Sequence, residues 1–163
     1  MDRLWSPWRM EYMDVVDKTD GCIFCNHLAE GDDVASHILH RGDNCFVILN
    51  AFPYNTGHLM VAPLRHAGEL SDLSHKERHE LFELTCRSVD VIKEAMKPEG
   101  FNTGMNLGAA GGAGVPGHLH MHVVPRWGGD TNFMSTVADT KVLPEMLADT
   151  AAKLRPSFEN LKR

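Results

Sequence analysis

The sequence predicts an α+β fold, an antiparallel β-sheet with a long helix packed on one face, and three observations carry that prediction. First, Ser74 and Glu77 form a Ser-x-x-Glu capping box, followed at helical spacing by Leu81, Leu84, Val91, Ile92 and Ala95, with Pro98 and Gly100 closing the run. Second, "CFVILN" (Cys45 to Asn50) and "HLMVAP" (His58 to Pro63) are rich in branched and aromatic residues. The turn-forming "AFPYNTG" between them reads as the bend of a hairpin. Third, "FNTGMNLG" and "HLHMHVVP" read as two more strands, separated by the glycine-rich "AAGGAGVPG".

The remaining elements follow in order along the chain. In "SPWRMEYMDVV", Ser6 can cap a short helix with Pro7 at its first position, where a missing N–H costs nothing. Trp5, Trp8 and Tyr12 give that segment a heavy aromatic load. "LPEMLADTAAKL" predicts a final helix. With 163 residues, 43% of them hydrophobic, the chain is expected to form one domain over 1–163, comprising an aromatic N-terminal segment at 1–20 and a C-terminal extension at 128–163.

Charge narrows the partners. A formal charge of -6 argues against a broad basic surface for nucleic acid, while leaving room for a small anionic substrate in a local site. No apolar run approaches the roughly 20 residues a bilayer span needs, and the first residues lack a signal-peptide h-region, so the expected address is cytoplasmic, with no membrane partner. In that compartment the four cysteines, two of them in "CIFC", read as thiols or metal ligands rather than disulfides.

The chemistry concentrates in "GHLHMHVVPRW". Side chains alternate along a strand, so His118, His120 and His122 should line one face at intervals of roughly 7 Å, with Leu119, Met121 and Val123 on the other. Neutral imidazole can be nucleophile, proton carrier or metal ligand, and buried rings need partners for their nitrogens. Directly upstream, "NLGAAGGAGVPG" (Asn106 to Gly117) has little side-chain bulk, and its backbone N–H groups can approach an anion closely. Together they suggest a phosphate delivered to a nucleophilic ring.

At this point the chain resembles the histidine triad (HIT) family, named for His-x-His-x-His followed by apolar residues. "CIFC", "LNAFPYNTGHLMVAPLRH", "NLG" with its glycine loop and "HLHMHVVP" occur in the family's order, and "LWSPWRMEY" and "VPRWGGDTNFM" are similar to the branch acting on diadenosine tetraphosphate. The resemblance implies a HIT-like fold, nucleotidyl transfer at the α-phosphate of dinucleotides, and a homodimer with sheets joined edge to edge or a tetramer. It implies His120 as the nucleophile that carries a covalent nucleotidyl group, with His122 and His58 beside the phosphate or leaving group. Asn50 matches the ribose-contacting position, Ile23 and Phe24 the base pocket, and Asn106, Gly114 and Val115 the phosphate-binding segment.

That segment departs from many relatives, which carry glutamine followed by serine or threonine where this chain has Gly114 and Val115. Only backbone donors then remain, and a less polar wall could admit a different second nucleophile. Relatives that look most like this chain use inorganic phosphate, so phosphorolysis to ADP and ATP is the favoured expectation, with hydrolysis to AMP and ATP as the alternative.

Two cysteines spaced as Cys22 and Cys25 can hold one tetrahedral ion only with two further ligands. Zinc-bearing relatives complete the set with residues matching His66 and His118, which implies a structural zinc. A redox role would need a thioredoxin-like context that the sequence lacks. Cys45 and Cys86 read as a buried strand residue and a helix residue. His27, His37, His40, His75 and His79 read as surface or cap positions. Two other classes stay in view: a zinc-stabilised nucleotide-binding module with little turnover, and an enzyme with another leaving group, such as a phosphoramidase or a uridylyltransferase. The last usually has glutamine where His122 stands.

Overall fold

The structure is a computed structural model that describes residues 21–131 and 143–161. The helix expected from Ser6 and the aromatic segment around it lie outside the described residues. The elements run α1 (Ile23–Glu30), β1 (Ile38–Arg41), β2 (Cys45–Leu49), β3 (Leu59–Pro63), a 3-10 turn (Leu70–Asp72), α2 (His75–Met96), β4 (Gly100–Gly104), β5 (Met121–Arg126) and α3 (Leu147–Glu159). The five strands form one sheet in the order β1-β2-β3-β5-β4, antiparallel at every step. This is the expected α+β arrangement.

Helix α2 begins where the capping box places it. The Glu77 N–H donates to Ser74 Oγ at 3.2 Å and the Ser74 N–H donates to Glu77 Oε2 at 2.7 Å, satisfying two of the donors a helix start leaves open. Glu77 also accepts two bonds from Arg65, each 3.1 Å. Chiefly through that guanidinium its carboxyl falls to about 2. The segment leaving β3 is thereby tied to the head of the helix. At the other end, Lys97 adopts a left-handed φ of 51° and its N–H donates to Lys93 O, so the helix stops just before Pro98.

Alternation sorts the sheet into two buried faces. Cys45, Val47, Leu49, Leu59, Val61, Leu119 and Val123 join Leu81, Leu84, Val91 and Ile92 of α2, and Leu154 and Phe158 of α3 close the same core. On the opposite face Phe46, Ile48, Met60 and Ala62 pack with Phe24 of α1 and with Val115. Strand β2 is therefore buried at all five positions, which explains its unbroken apolar run.

Three local differences separate this fold from the reading of the sequence. "CIFC" opens a helix rather than a simple turn: Cys22 is its N-cap without a side-chain bond, and Gly31 ends it at φ 71°. Strand β1 is four residues long with an irregular register between Ile38 and His40, too short and too bent to show alternation. The last sheet strand begins at Met121, not His118. The two residues before Met121 run beside the segment after β3, where the Leu119 N–H donates to Ala67 O at 2.8 Å. The facing of the side chains nevertheless alternates as expected.

One glycine is required by the β2–β3 loop. Gly57, just ahead of His58, has φ 80°, and an added Cβ would come within 2.8 Å of Met96 Sδ and 3.3 Å of Pro125 Cγ. A side chain forced into that left-handed conformation costs about 1–2 kcal/mol before any crowding. Gly57→Ala should lower the free energy of unfolding by at least that amount in urea titrations, and an unchanged midpoint would contradict the requirement.

Candidate active site

Four histidines meet on the sheet face opposite α2. His58 and His118 are fully buried, while His120 is 5% and His122 9% exposed. Ring centroids lie 4.9 Å apart for His120 and His122 and 5.1 Å for His58 and His122. The register explains the grouping: His122 pairs with Met60 across β5 and β3, and His58 stands two residues before Met60 on the same face.

Each ring has a neighbour that fixes its proton. A carbonyl can only accept, so the 2.8 Å contact of His120 Nδ1 with His118 O requires a proton on Nδ1. The lone pair of neutral His120 is then on Nε2. His118 makes its own 2.8 Å bond from Nε2 to Pro63 O, which leaves its lone pair on Nδ1. His58 Nδ1 must be the bare nitrogen, because the Tyr54 backbone N–H donates to it at 3.1 Å and Asn50 Nδ2 lies 3.3 Å away. His58 Nε2–H therefore donates to His122 Nδ1 at 2.9 Å, and neutral His122 carries its proton on Nε2.

Burial favours the neutral form of His58, His118 and His120. It pushes His58 down to about 3, with smaller contributions from His122 and His120. It also lowers His120 and His118, partly offset by their bonds to the His118 and Pro63 carbonyls. At neutral pH the cluster offers one nucleophilic nitrogen, on His120, and one directed N–H, on His122.

The second half of the site is a sulfur and imidazole group. One ligand atom from each of Cys22, Cys25, His66 and His118 lies within 4.8 Å of all the others. His118 Nδ1 is 3.3 Å from Cys22 Sγ and 3.6 Å from Cys25 Sγ, and His66 Nδ1 is 3.5 Å from Cys25 Sγ. Burial, then the Cys22 sulfur beside it, raises the Cys25 thiol. A cation would reverse that penalty, since thiolates ligate and thiols do not. Two sulfurs and two nitrogens, one with its second nitrogen already held by a carbonyl, are a donor set that could hold a metal.

The other expected site residues are placed as follows. Phe24 is buried with its ring 5.2 Å from those of both His118 and His120, and Ile23 is half-buried beside the same cluster. Asn50 is buried at the end of β2, its Oδ1 accepting from the Phe52 N–H at 2.9 Å. Asn106 spans the glycine loop by donating to Gly112 O at 3.3 Å. Gly114 is half-buried, and the Val115 side chain turns into the apolar cluster under α1. Away from the site, His27 contacts Glu30, His40 packs near Phe158, and His75 and His79 are exposed on α2. His37 has φ 57°. Cys45 is buried, its thiol raised by that burial to about 12, and Cys86 is exposed on α2.

Sequence reasoning missed Tyr54 and the Pro63 carbonyl. The Tyr54 ring lies 4.6 Å from His58 and 5.7 Å from His122, and its backbone sets the His58 proton. Its place in "PYNTGH" was the available signal; a main-chain carbonyl leaves no mark in a sequence.

Comparison with known proteins identifies the family. The HIT domain family model matches residues 32–129. The chain is 40% identical over 157 residues to a Mycobacterium tuberculosis protein named AP-4-A phosphorylase, covering 92% of this chain and 80% of that one. Among solved structures it is similar to a zinc-bound histidine triad family protein from Mycobacterium smegmatis, with TM-score 0.70, 25% identity and coverage of 86% and 95%. A hypothetical histidine triad nucleotide-binding protein from Sulfolobus tokodaii gives TM-score 0.69 at 26% identity, covering 87% and 95%. With its family model matched across the sheet and its three spaced histidines gathered in one site, the chain belongs to the HIT domain family.

Proposed function

We propose that this enzyme transfers a nucleotidyl group from the α-phosphate of a dinucleoside polyphosphate, with phosphorolysis of diadenosine tetraphosphate to ADP and ATP as its favoured reaction. The observation that carries the reading is the His120 Nδ1 bond to the His118 carbonyl, which aims an unprotonated Nε2 out of a buried, neutral ring. Likeness to the mycobacterial phosphorylase supports the substrate class.

In this reading His120 Nε2 attacks the α-phosphorus and the bond from that phosphorus to its bridging oxygen breaks. ATP leaves as its anion, the charge developing on the departing oxygen met by a hydrogen bond from His122 Nε2–H. Inorganic phosphate then attacks the α-phosphorus of the histidine-AMP through an oxygen, the bond from that phosphorus to His120 Nε2 breaks, and ADP leaves with His120 neutral again. His58 keeps His122 in the donating tautomer. Ile23 and Phe24 line the base pocket, Asn50 meets the ribose, and Asn106 with the backbone of Gly114 and Val115 meets the phosphates. The absence of a side chain at Gly114, and the inward turn of Val115, support a wall open enough for phosphate to enter.

Cys22, Cys25, His66 and His118 would hold zinc, which supplies a structural tie between α1 and the triad and no reacting group. The reading extends to a cytoplasmic homodimer with sheets joined edge to edge, or a tetramer, and to one domain spanning 1–163 with flanking segments at 1–20 and 128–163. Among the described residues no helix is long and apolar enough to cross a membrane.

Incubation with diadenosine tetraphosphate labelled at the α-phosphate should leave AMP on the wild-type chain. His120→Ala should lose the label and at least about 1,000-fold in turnover while keeping its metal, a loss in the range expected for a nucleophile. Label retained in that variant would remove His120 from the mechanism. Product analysis with inorganic phosphate should yield ADP and ATP; AMP and ATP with and without phosphate would make the enzyme a hydrolase instead. Purified protein should contain zinc, and His118→Ala or Cys22→Ala should lose it together with several degrees of melting temperature. Full occupancy in either variant would reject the ligand set.

A further inference from the structure

The proton arrangement of His58 and His122 begins outside the imidazoles. Its origin is the Tyr54 backbone N–H, which donates to His58 Nδ1. That amide points correctly only if the loop joining β2 to β3 is held, and Asn55 ties that loop to the end of β5 and to Asp130. Asn55 is buried, and its side-chain Nδ2 spends both hydrogens on acceptors from beyond the triad: Pro125 O at 3.0 Å and Asp130 Oδ2 at 2.8 Å. Its carbonyl accepts from the His58 N–H at 3.1 Å. Asp130 is itself oriented by Arg126, at 2.6 and 2.9 Å, and by the Trp127 N–H at 3.2 Å.

We propose that Asn55 and Asp130 are positioning residues for the reaction: their bond fixes the β2–β3 loop so that the Tyr54 amide sets the His58 tautomer, which in turn presents the His122 proton on Nε2. The proposal rests on the reading of His122 as hydrogen-bond donor to the leaving group. Neither residue touches the triad rings. Their influence runs from Asp130 to Asn55, through the loop backbone to Tyr54 and His58, and ends at His122.

The same loop carries a second sign that it is held rather than merely packed. Gly57 lies between Asn55 and His58 with its left-handed φ and its close approach to Pro125, the residue whose carbonyl takes the other Asn55 hydrogen. Two contacts from one short stretch thus converge on the end of β5. A loop fixed only by burial would not need both amide hydrogens aimed at pure acceptors.

The test uses the full-length chain with its metal content measured, and reads imidazole nitrogen-15 shifts, kcat and KM. Asn55→Asp sets two carboxylates against each other at the 2.8 Å contact. It should leave KM for diadenosine tetraphosphate within about twofold, lower kcat by about 10- to 100-fold, the scale of a displaced hydrogen-bond donor, and mix the His58 tautomers. Asp130→Asn alone keeps an oxygen for Asn55 and should retain a single Nε2–H tautomer with kcat within about threefold of wild type. If Asn55→Asp does not fold, Asp130→Ala, which removes the acceptor without adding a charge, is read by the same criteria. Wild-type kcat with an unchanged His58 tautomer in a folded variant overturns the proposal. So does a loss shared equally by metal content, melting temperature and KM, which marks a purely structural role. Failure of wild-type protein to acquire AMP defeats the nucleotidyl-transfer reading instead, and the nitrogen-15 result still reports on the loop.

Discussion

The site depends on the three bonds made by one residue, His118. Its ring donates from Nε2 to the Pro63 carbonyl, its Nδ1 faces two cysteine sulfurs, and its own carbonyl takes the proton of His120. A fully buried imidazole is costly unless its nitrogens are matched. Here the matching does more than remove a cost, because every one of these contacts also settles the orientation of something else. The Pro63 bond ties the triad to the end of β3, the sulfurs bring α1 onto the sheet, and the carbonyl decides which His120 nitrogen is free to react.

The rest of the fold supplies the frame in which those bonds are possible. The α2-facing core, including fully buried Val47, Leu59, Val61, Ile92 and Val123, sets the sheet on its helix, with the histidines on the opposite face. Arg65 and Glu77 then bind the segment carrying His66 to the head of α2. The position of one sulfur-facing imidazole is therefore inherited from a helix cap several residues away.

Much of this was legible in the sequence because it rests on periodicity. The alternation of His118, Leu119, His120, Met121 and His122 predicts the two faces even though the regular strand begins only at Met121. Ser74 and Glu77 predict the start of α2 to the residue. Family likeness brought Cys22, Cys25, His66 and His118 together, and no spacing rule could have done so, since the last two approach from separate segments. What stayed hidden was set by tertiary contact or by main-chain atoms. Helix α1 has no side-chain cap, β1 is four residues with an irregular register, and the Tyr54 amide and the Pro63 carbonyl belong to the backbone common to every residue. The packing of the Val115 side chain into the apolar cluster under α1 was hidden in the same way, since a single valine in a glycine-rich loop carries no periodicity.

Helix α1 has a further consequence. Eight residues without a side-chain N-cap are too few to stay helical alone in water, so its order must come from tertiary contacts, among them the Arg41 bonds to the Leu28 carbonyl. At its first turn those contacts are the two sulfurs beside His118 and the Phe24 ring resting on His118 and His120. The cover over the reactive ring and the clasp of thiols are thus one short segment. By thermodynamic reciprocity, whatever strengthens the clasp favours the closed cover by an equal free energy, and an occupant held beneath that cover would shift the clasp toward its closed form by the same amount.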